Sequence, residues 1–317
     1  MRPQSKRVLS SLLMFLAVFI FAIAAFQMHR HVEPFRTWFY TFAWWAYILF
    51  SQSLLLRRNE DALLFTSPRT FLALLPLSTF LWLTFEVLNF RLQNWHYINL
   101  PPQTWIRWLG YFLSFATVLP GVLTTKGLLD HFYFVEPFKS HGVEFSRRVH
   151  IVFAIGGCFC FLLPLCWPQF FFPLIWLGLV LMIEPLNYRF GVPSLLRDWE
   201  AGSLNNVRSL LYAGFVCGFL WEFWNYWAGA KWIYTVPFFG GLKVFEMPLL
   251  GFLGFPPFAM ECYVFVNLTF WIWREIRHTL RPEAVRLMWV LLFVGMVVFD
   301  IIVFAGIDHF TVISFAS

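Results

Sequence analysis

The chain has 317 residues, of which 60% are hydrophobic and 22% aromatic, while only 13% are charged. A soluble domain carries about 25% charged residues, so a water-facing globule is excluded. The formal charge of +6 does not point to nucleic acid, because the basic residues fall between apolar runs, where membrane topology places them.

Apolar runs of membrane length recur along the whole sequence. About 20 residues of helix cross a hydrocarbon core of roughly 30 Å, and lipid offers no partner to strand backbone. The expectation is an all-α polytopic membrane helix bundle of about nine spans in one integral membrane domain, 1–317. The expected spans are 9–27, 38–56, 70–90, 105–127, 149–167, 169–188, 209–228, 247–272 and 287–306.

The first span follows Met1-Arg2-Pro3-Gln4-Ser5-Lys6-Arg7 and resembles a signal peptide in its flanks. The small-residue motif Ala22-Ile23-Ala24 lies inside the apolar run rather than after it. A retained first helix is therefore expected rather than a cleaved signal.

Span three ends on Phe85-Glu86-Val87-Leu88-Asn89, followed by Asn94-Trp95-His96-Tyr97 and Pro101-Pro102. Between spans four and five, His131, Glu136, His141 and Glu144 lie on an inner loop. Their spacing matches no metal motif, and they are read as a solvated loop. Spans five and six are separated by Pro168 and should form a tight hairpin. The five cysteines form no C-x-x-C pair and lie in or beside spans, so they are read as packing residues rather than disulfides or metal ligands. Span six closes on Glu184-Pro185-Leu186-Asn187.

Span seven ends on Trp221-Glu222-Phe223-Trp224-Asn225, then Lys231-Trp232-Ile233-Tyr234 and Pro237. This echoes the end of span three: Glu-x-x-Asn, a short loop with Trp-x-Tyr, then proline. The two echoes lie four spans apart. They suggest a parallel repeat of units 1–136 and 137–280 with an extra helix, 287–306. Trp and Tyr also belong at membrane interfaces, so shared interfacial grammar is the alternative reading. Residues three apart share a helix face, so each asparagine is placed to hold its glutamate in one rotamer or to join helices.

Phe245-Glu246-Met247-Pro248 opens span eight, with Pro248 suited to a first helical turn. Gly251, Gly254, Pro256 and Pro257 predict a break near its middle, either lining a cavity or forced by bundle packing.

Counting Lys and Arg orients the chain. With the N-terminus inside, the inner segments hold 17 and the outer segments 6, the bias expected for N-inside and C-outside. That places Glu86, Glu222, Glu246 and Asp300 at one level in the outer leaflet, with Arg91, Arg107 and Lys231 beside them. Glu184 and Glu261 lie deeper toward the inside. Ionisable residues within spans mark function or internal pairing. A carboxyl buried away from water either pairs with a cation or carries its proton. Paired, these four are staples; unpaired, they offer a general acid and a base. The candidate catalytic residues are thus Glu222, Glu246, Glu86 and Asp300. The candidate substrate-binding residues are Asn225, Asn89, Trp232, Tyr234, Trp95 and Tyr97. No metal site is expected. The 17 Trp, 10 Tyr and 42 Phe could wall a pocket for a polyene or prenyl chain, and π faces stabilise cations.

Missing motifs narrow the classes. No H-x-x-H-H, H-E-x-x-H, G-x-x-x-x-G-K-[ST] or G-x-S-x-G occurs, which argues against di-iron oxygenases, zinc proteases, P-loop ATPases and serine hydrolases.

The order Glu222, Trp232, Tyr234, Glu246, Pro248 and Phe255 resembles the small membrane lycopene cyclase type of domain, whose members also come as tandem helical units. Trp221-Glu222 is similar to the integral-membrane terpene cyclases. The resemblance covers only this stretch. It departs from the cyclase pattern at the proline, where those domains place two adjacent acids after it and this chain has a single Glu246 before it. The resemblance implies a cofactor-free isomerisation of an isoprenoid. One carboxyl would protonate an alkene or epoxide, aromatics would shelter the cation, and a second carboxylate would take a proton away. Glu222 and Glu246 would act, supported by Glu86 or Asp300.

Three readings follow. A lipid- or isoprenoid-modifying enzyme needs a closed aromatic pocket reached by at least two of the outer acids. A transporter or lipid-translocating protein needs a polar path from those acids to Glu261 and Glu184. A membrane scaffold needs every buried acid paired and no cavity. The expected partners are membrane lipid and a hydrophobic substrate, with the oligomeric state open. A bacterial inner membrane is expected from the short loops.

Overall fold

The computed structural model describes residues 3–58, 61–132, 139–238 and 241–316. The chain runs through α1 (Pro3–His29), α2 (Phe39–Arg58), a short α3 (Leu63–Thr66), α4 (Pro68–Leu92), β1 (Trp95–Ile98), α5 (Thr104–Phe115) and α6 (Val118–His131). It continues with α7 (Arg147–Cys166), short α8 (Pro168–Phe171), a 3-10 turn (Phe172–Leu174), α9 (Ile175–Phe190) and short α10 (Leu195–Glu200). Then follow α11 (Asn205–Trp227), β2 (Lys231–Tyr234), β3 (Lys243–Val244), β4 (Met247–Pro248), a second 3-10 turn (Leu249–Gly254), α12 (Phe255–Thr279) and α13 (Pro282–Phe310).

Among the described residues, seven helical segments are long and apolar enough to cross a membrane: Gln4–His29, Pro68–Leu92, Thr104–His131, Arg147–Cys166, Pro168–Phe190, Leu249–Thr279 and Pro282–Phe310. The other two expected spans are also helical. α2 and α11 have 20 and 23 residues, but Ser51, Gln52 and Ser53 in one and Glu222 and Asn225 in the other make them less apolar. They can carry such residues because they face protein. All five of these polar side chains are buried. The aromatic rings of the two helices meet directly, with Trp44 edge-on to Trp224 at 4.9 Å between centroids.

Local chemistry explains the breaks. The fourth expected span is two helices. Pro120 has no N–H to give the carbonyl of Ala116 and crowds it, which stops the helix there. Ser78 of α4 mends the gap: its hydroxyl donates to the Phe115 carbonyl (2.6 Å) and accepts from the Leu119 N–H (3.0 Å). Spans five and six turn at Trp167–Pro168 as expected.

Span eight differs from its expectation. Its first residues are strand β4 and a 3-10 turn, and Pro248 sits in the strand rather than in a helix. The helix proper begins at Phe255, with Pro256 and Pro257 in the first turn, where a missing N–H costs nothing. This start packs hard against α11. A Cβ at Gly214 would stand 2.5 Å from the Phe255 carbonyl oxygen, so only glycine allows that approach.

The larger departure is the sheet. The two stretches read as loops, Trp95–Ile98 and Lys231–Tyr234, are strands paired antiparallel: Trp95 opposite Tyr234, His96 opposite Ile233, Tyr97 opposite Trp232 and Ile98 opposite Lys231. The chain's last residues run along the other side of β1. Tyr97 N–H donates to Thr311 O, Ile313 N–H to Tyr97 O and Ala316 N–H to Leu100 O, all within 2.8 Å. Strand edges in lipid need partners, and β1 has them on both sides.

Candidate functional site

The sheet closes one end of the bundle, and the two Glu-x-x-Asn echoes meet beneath it. The two Trp-x-Tyr strands face each other so that each Trp opposes the other's Tyr. This gives the site a local two-fold character.

In the first unit, Glu86 is fully buried. Its Oε1 accepts from Trp82 Nε1 (2.8 Å), Trp95 Nε1 (3.1 Å) and the Tyr97 hydroxyl (2.5 Å). In the second, Glu222 is fully buried, and its Oε1 accepts from the Tyr234 hydroxyl (2.7 Å), which in turn accepts from Trp232 Nε1 (2.9 Å). The second oxygen of each carboxyl is buried and has no hydrogen-bond partner among the described residues.

Asn187 joins helices as expected, donating from α9 to the Val264 carbonyl of α12 (3.0 Å), but Asn89 and Asn225 serve a different purpose. Asn89 donates to the Trp95 carbonyl (2.8 Å) and accepts from the Asn94 N–H (2.8 Å). Asn225 donates to the Trp232 carbonyl (2.9 Å) and accepts from the Trp232 N–H (3.0 Å). Three residues past the glutamate the helix is ending, so the amide meets the orphan backbone of the turning chain rather than the carboxyl. Asn89 and Asn225 pin the strands and line neither of the cavities described next.

Two narrow aromatic cavities lie at the sheet. One, about 70 Å³, is bounded by Trp95, Tyr97, Trp176, Trp232, Tyr234 and Phe258, with Met247 and Gly251 at its side. The other, about 60 Å³, is bounded by Tyr40, Thr41, Tyr97, Arg107, Tyr111 and Trp232. Trp82, Trp221, Tyr97 and Trp232 belong to both. Trp82 and Trp221, their ring centroids 5.2 Å apart, form the common wall. A water needs about 10–15 Å³ measured this way, so each cavity admits a short group rather than a long chain.

The remaining expected site residues lie apart. Glu246 is paired, with Lys231 Nζ 2.6 Å from its Oε1. Asp300 on α13 lines neither cavity, and its Oδ1 has no hydrogen-bond partner among the described residues. Glu184 and Glu261, at other levels, accept from Ser194 Oγ (2.5 Å) and the Leu179 N–H (2.9 Å). Each also keeps one oxygen without a partner.

The sequence reading missed Asp308 and the aromatics Tyr40, Trp82 and Trp176. Arg107, expected beside the four acids, turns to Asp308 instead. Arg107 Nε lies 2.7 Å from Oδ1 and Nη2 2.6 Å from Oδ2, while Trp108 and Tyr111 donate to the same carboxylate at 2.9 Å. The spacing of Arg107, Trp108 and Tyr111, on one helix face, was the signal for a shared acceptor. Trp82 sits one turn before Glu86, which was the signal for a local donor.

Outside the spans, two groups are tuned by surroundings. Partial burial holds the His96 imidazole below its ordinary value. At the opposite end, the Phe145 N–H and the Tyr188 hydroxyl hold the Glu200 carboxyl below the usual range. Among the described residues no three His, Cys, Asp or Glu side chains stand close enough to bind a metal. Glu136 lies outside the described residues. Comparison with known proteins finds no matching family model, curated protein or solved structure.

Proposed function

We propose that this protein is a lipid- or isoprenoid-modifying enzyme, a cyclase or isomerase, whose narrow cavities at the sheet end of a nine-span bundle take only the reacting end of the substrate. The observation that carries this reading is the mirrored pair, Glu86–Tyr97 and Glu222–Tyr234. Each carboxyl keeps one oxygen without a partner among the described residues, and each tyrosine lines an aromatic cavity that its glutamate does not itself line. One proton-bearing group and one ionised acceptor beside π surfaces are what an acid-initiated isomerisation uses. Tyr234 is the group at the cavity and Glu222 the proton reservoir behind it. The faces of Trp82, Trp221 and Trp232 would shelter the cation, and Glu86 as carboxylate would take a proton back through Tyr97, the proton then returning to Glu222 before the next turnover. The substrate then leaves as an isomer, with no cofactor consumed. In this reading the chain sits in a bacterial inner membrane with its N-terminus inside, and the sheet faces outward as the Lys and Arg bias expects.

Other observations support an enzyme over the two alternatives. Neither aromatic cavity reaches Glu184 or Glu261, which a transport path would have to join. A scaffold would leave no buried carboxyl oxygens without partners, and four glutamates here have one each. The test is lipid profiling of membranes expressing wild type, Glu222→Gln or Tyr234→Phe beside an empty-vector control. A lipid species that changes with wild type and with neither variant supports the reading. Profiles that match the control for all three proteins, each inserted and folded, overturn it for the lipids of that host and favour transport.

A further inference from the structure

The other end of the bundle carries a second, separate feature. Between α4, α12 and α13 runs an apolar groove of about 610 Å³, walled by Pro76, Phe80, Ile272, Trp289 and Gly295. It meets a basic hollow of about 980 Å³ where α4 begins and α12 ends, bounded by Thr70, Arg69, Arg274, Arg277 and His278. Trp273 lines both, its ring tilted against those of Phe270 and Trp289 at 6.0 and 4.5 Å between centroids. The two hollows adjoin at Trp273 and together make a slot that is apolar along the helices and cationic at the mouth. The only carboxylate within reach of these cations among the described residues is Glu275, 3.8 Å from Arg274 Nε. Among the described residues Arg69 and Arg277 form no ion pair.

We infer that this slot holds one anionic phospholipid, its phosphate headgroup among Arg69, Arg274 and Arg277 and an acyl chain along the α4–α12–α13 groove. Guanidinium groups match phosphate oxygens as fork-shaped donors, and basic pockets between helix ends recognise such headgroups. Any lipid could fill the apolar part. The three guanidinium groups at its mouth, of which only Arg274 has a carboxylate neighbour among the described residues, select the charge. A second copy of this chain fits poorly, because a two-fold contact on this face would set the same cations against one another.

The test is native mass spectrometry of the full chain in mild detergent with equal amounts of phosphatidylglycerol and phosphatidylcholine. One retained phosphatidylglycerol per chain is expected. Each Arg→Gln change should weaken it about fivefold, and the triple change Arg69→Gln, Arg274→Gln, Arg277→Gln roughly a hundredfold. Gly295→Phe tests the groove without touching a charge. A Cβ there meets no atom within 4 Å, so the fold should tolerate the ring while the chain site is blocked and retention falls. A triple Gln change at Arg7, Arg147 and Arg148 controls for general surface charge and should leave retention unchanged. Equal retention of the two lipids overturns the inference. So does an equal loss in the control variant, or unaltered binding in Gly295→Phe. A phosphate adduct as persistent as the lipid, with inorganic phosphate alone, would make the headgroup site independent of lipid and also overturn it. A dimer formed through α13 in place of the lipid would do the same.

Discussion

The two Glu-Trp-Tyr units use the same residues differently. Three donors converge on Glu86 Oε1, and its strand is flanked by β2 on one side and the C-terminal tail on the other. Glu222 is reached through a relay, Trp232 to Tyr234 to carboxyl, and its strand is half-buried throughout. The Lys231–Glu246 ion pair lies just beyond it. One unit is therefore held by several converging donors and its counterpart by a single chain of them.

The largest effect that tests this contrast is removal of each carboxyl. Glu86→Ala leaves two indole N–H groups and a phenol without an acceptor in a buried site. Each orphaned donor costs about 1–3 kcal/mol, so a loss of about 3 to 9 kcal/mol is expected for the three. Glu222→Ala orphans the Tyr234 hydroxyl and should cost about 1–3 kcal/mol. Thermal unfolding of both variants in the same detergent reads the difference. Equal losses would mean that the units are structurally equivalent and would break the comparison.

Next comes the clamp that braces the first unit. Asp308 and Arg107 are largely buried, with side chains 17% and 6% exposed, and they tie α5 to the end of α13, from which the tail reaches β1. Asp308→Asn leaves the Arg107 charge without its counter-ion, a change that costs about 3 kcal/mol or more in a buried pair. Amide hydrogen exchange should then rise at Tyr97 and Leu100 more than at Trp232 and Tyr234. A uniform rise across both strands would show that the tail braces the whole sheet rather than the first unit.

What could be read in the sequence follows from the range of each interaction. Helices were legible because twenty apolar residues in a row need no distant partner to declare themselves. The residues of the site were legible as a pair of echoes, but their pairing was not. Four-residue strands such as Trp95–Ile98 are too short to show alternation, and β2 lies four spans further along the chain. The Asn roles were misread for a related reason. Periodicity places Asn89 on the same helix face as Glu86, yet it cannot show that the helix ends there. Asp308 escaped notice because it lies beyond the last expected span, and only the fold brings it beneath Arg107. Ser78, a lone hydroxyl in an apolar helix, gave no sign that it would mend the break opposite Pro120.

The smallest effect is the sharpest, because its order should reverse. Tyr97→Phe removes one of three donors to Glu86, whose Oε1 keeps both indoles, so about 1 kcal/mol is expected. Tyr234→Phe removes the middle of a relay. Glu222 loses the Tyr234 donor and Trp232 Nε1 loses its acceptor, so about 1–3 kcal/mol is expected. Cutting at the carboxyl should therefore harm the first unit more, and cutting at the tyrosine should harm the second more. A single buried-area or burial-depth effect would rank both pairs of variants the same way, since both glutamates are fully buried. Only the difference between converging donors and a serial relay predicts the crossing. Unfolding curves of the four variants, measured side by side, decide between them.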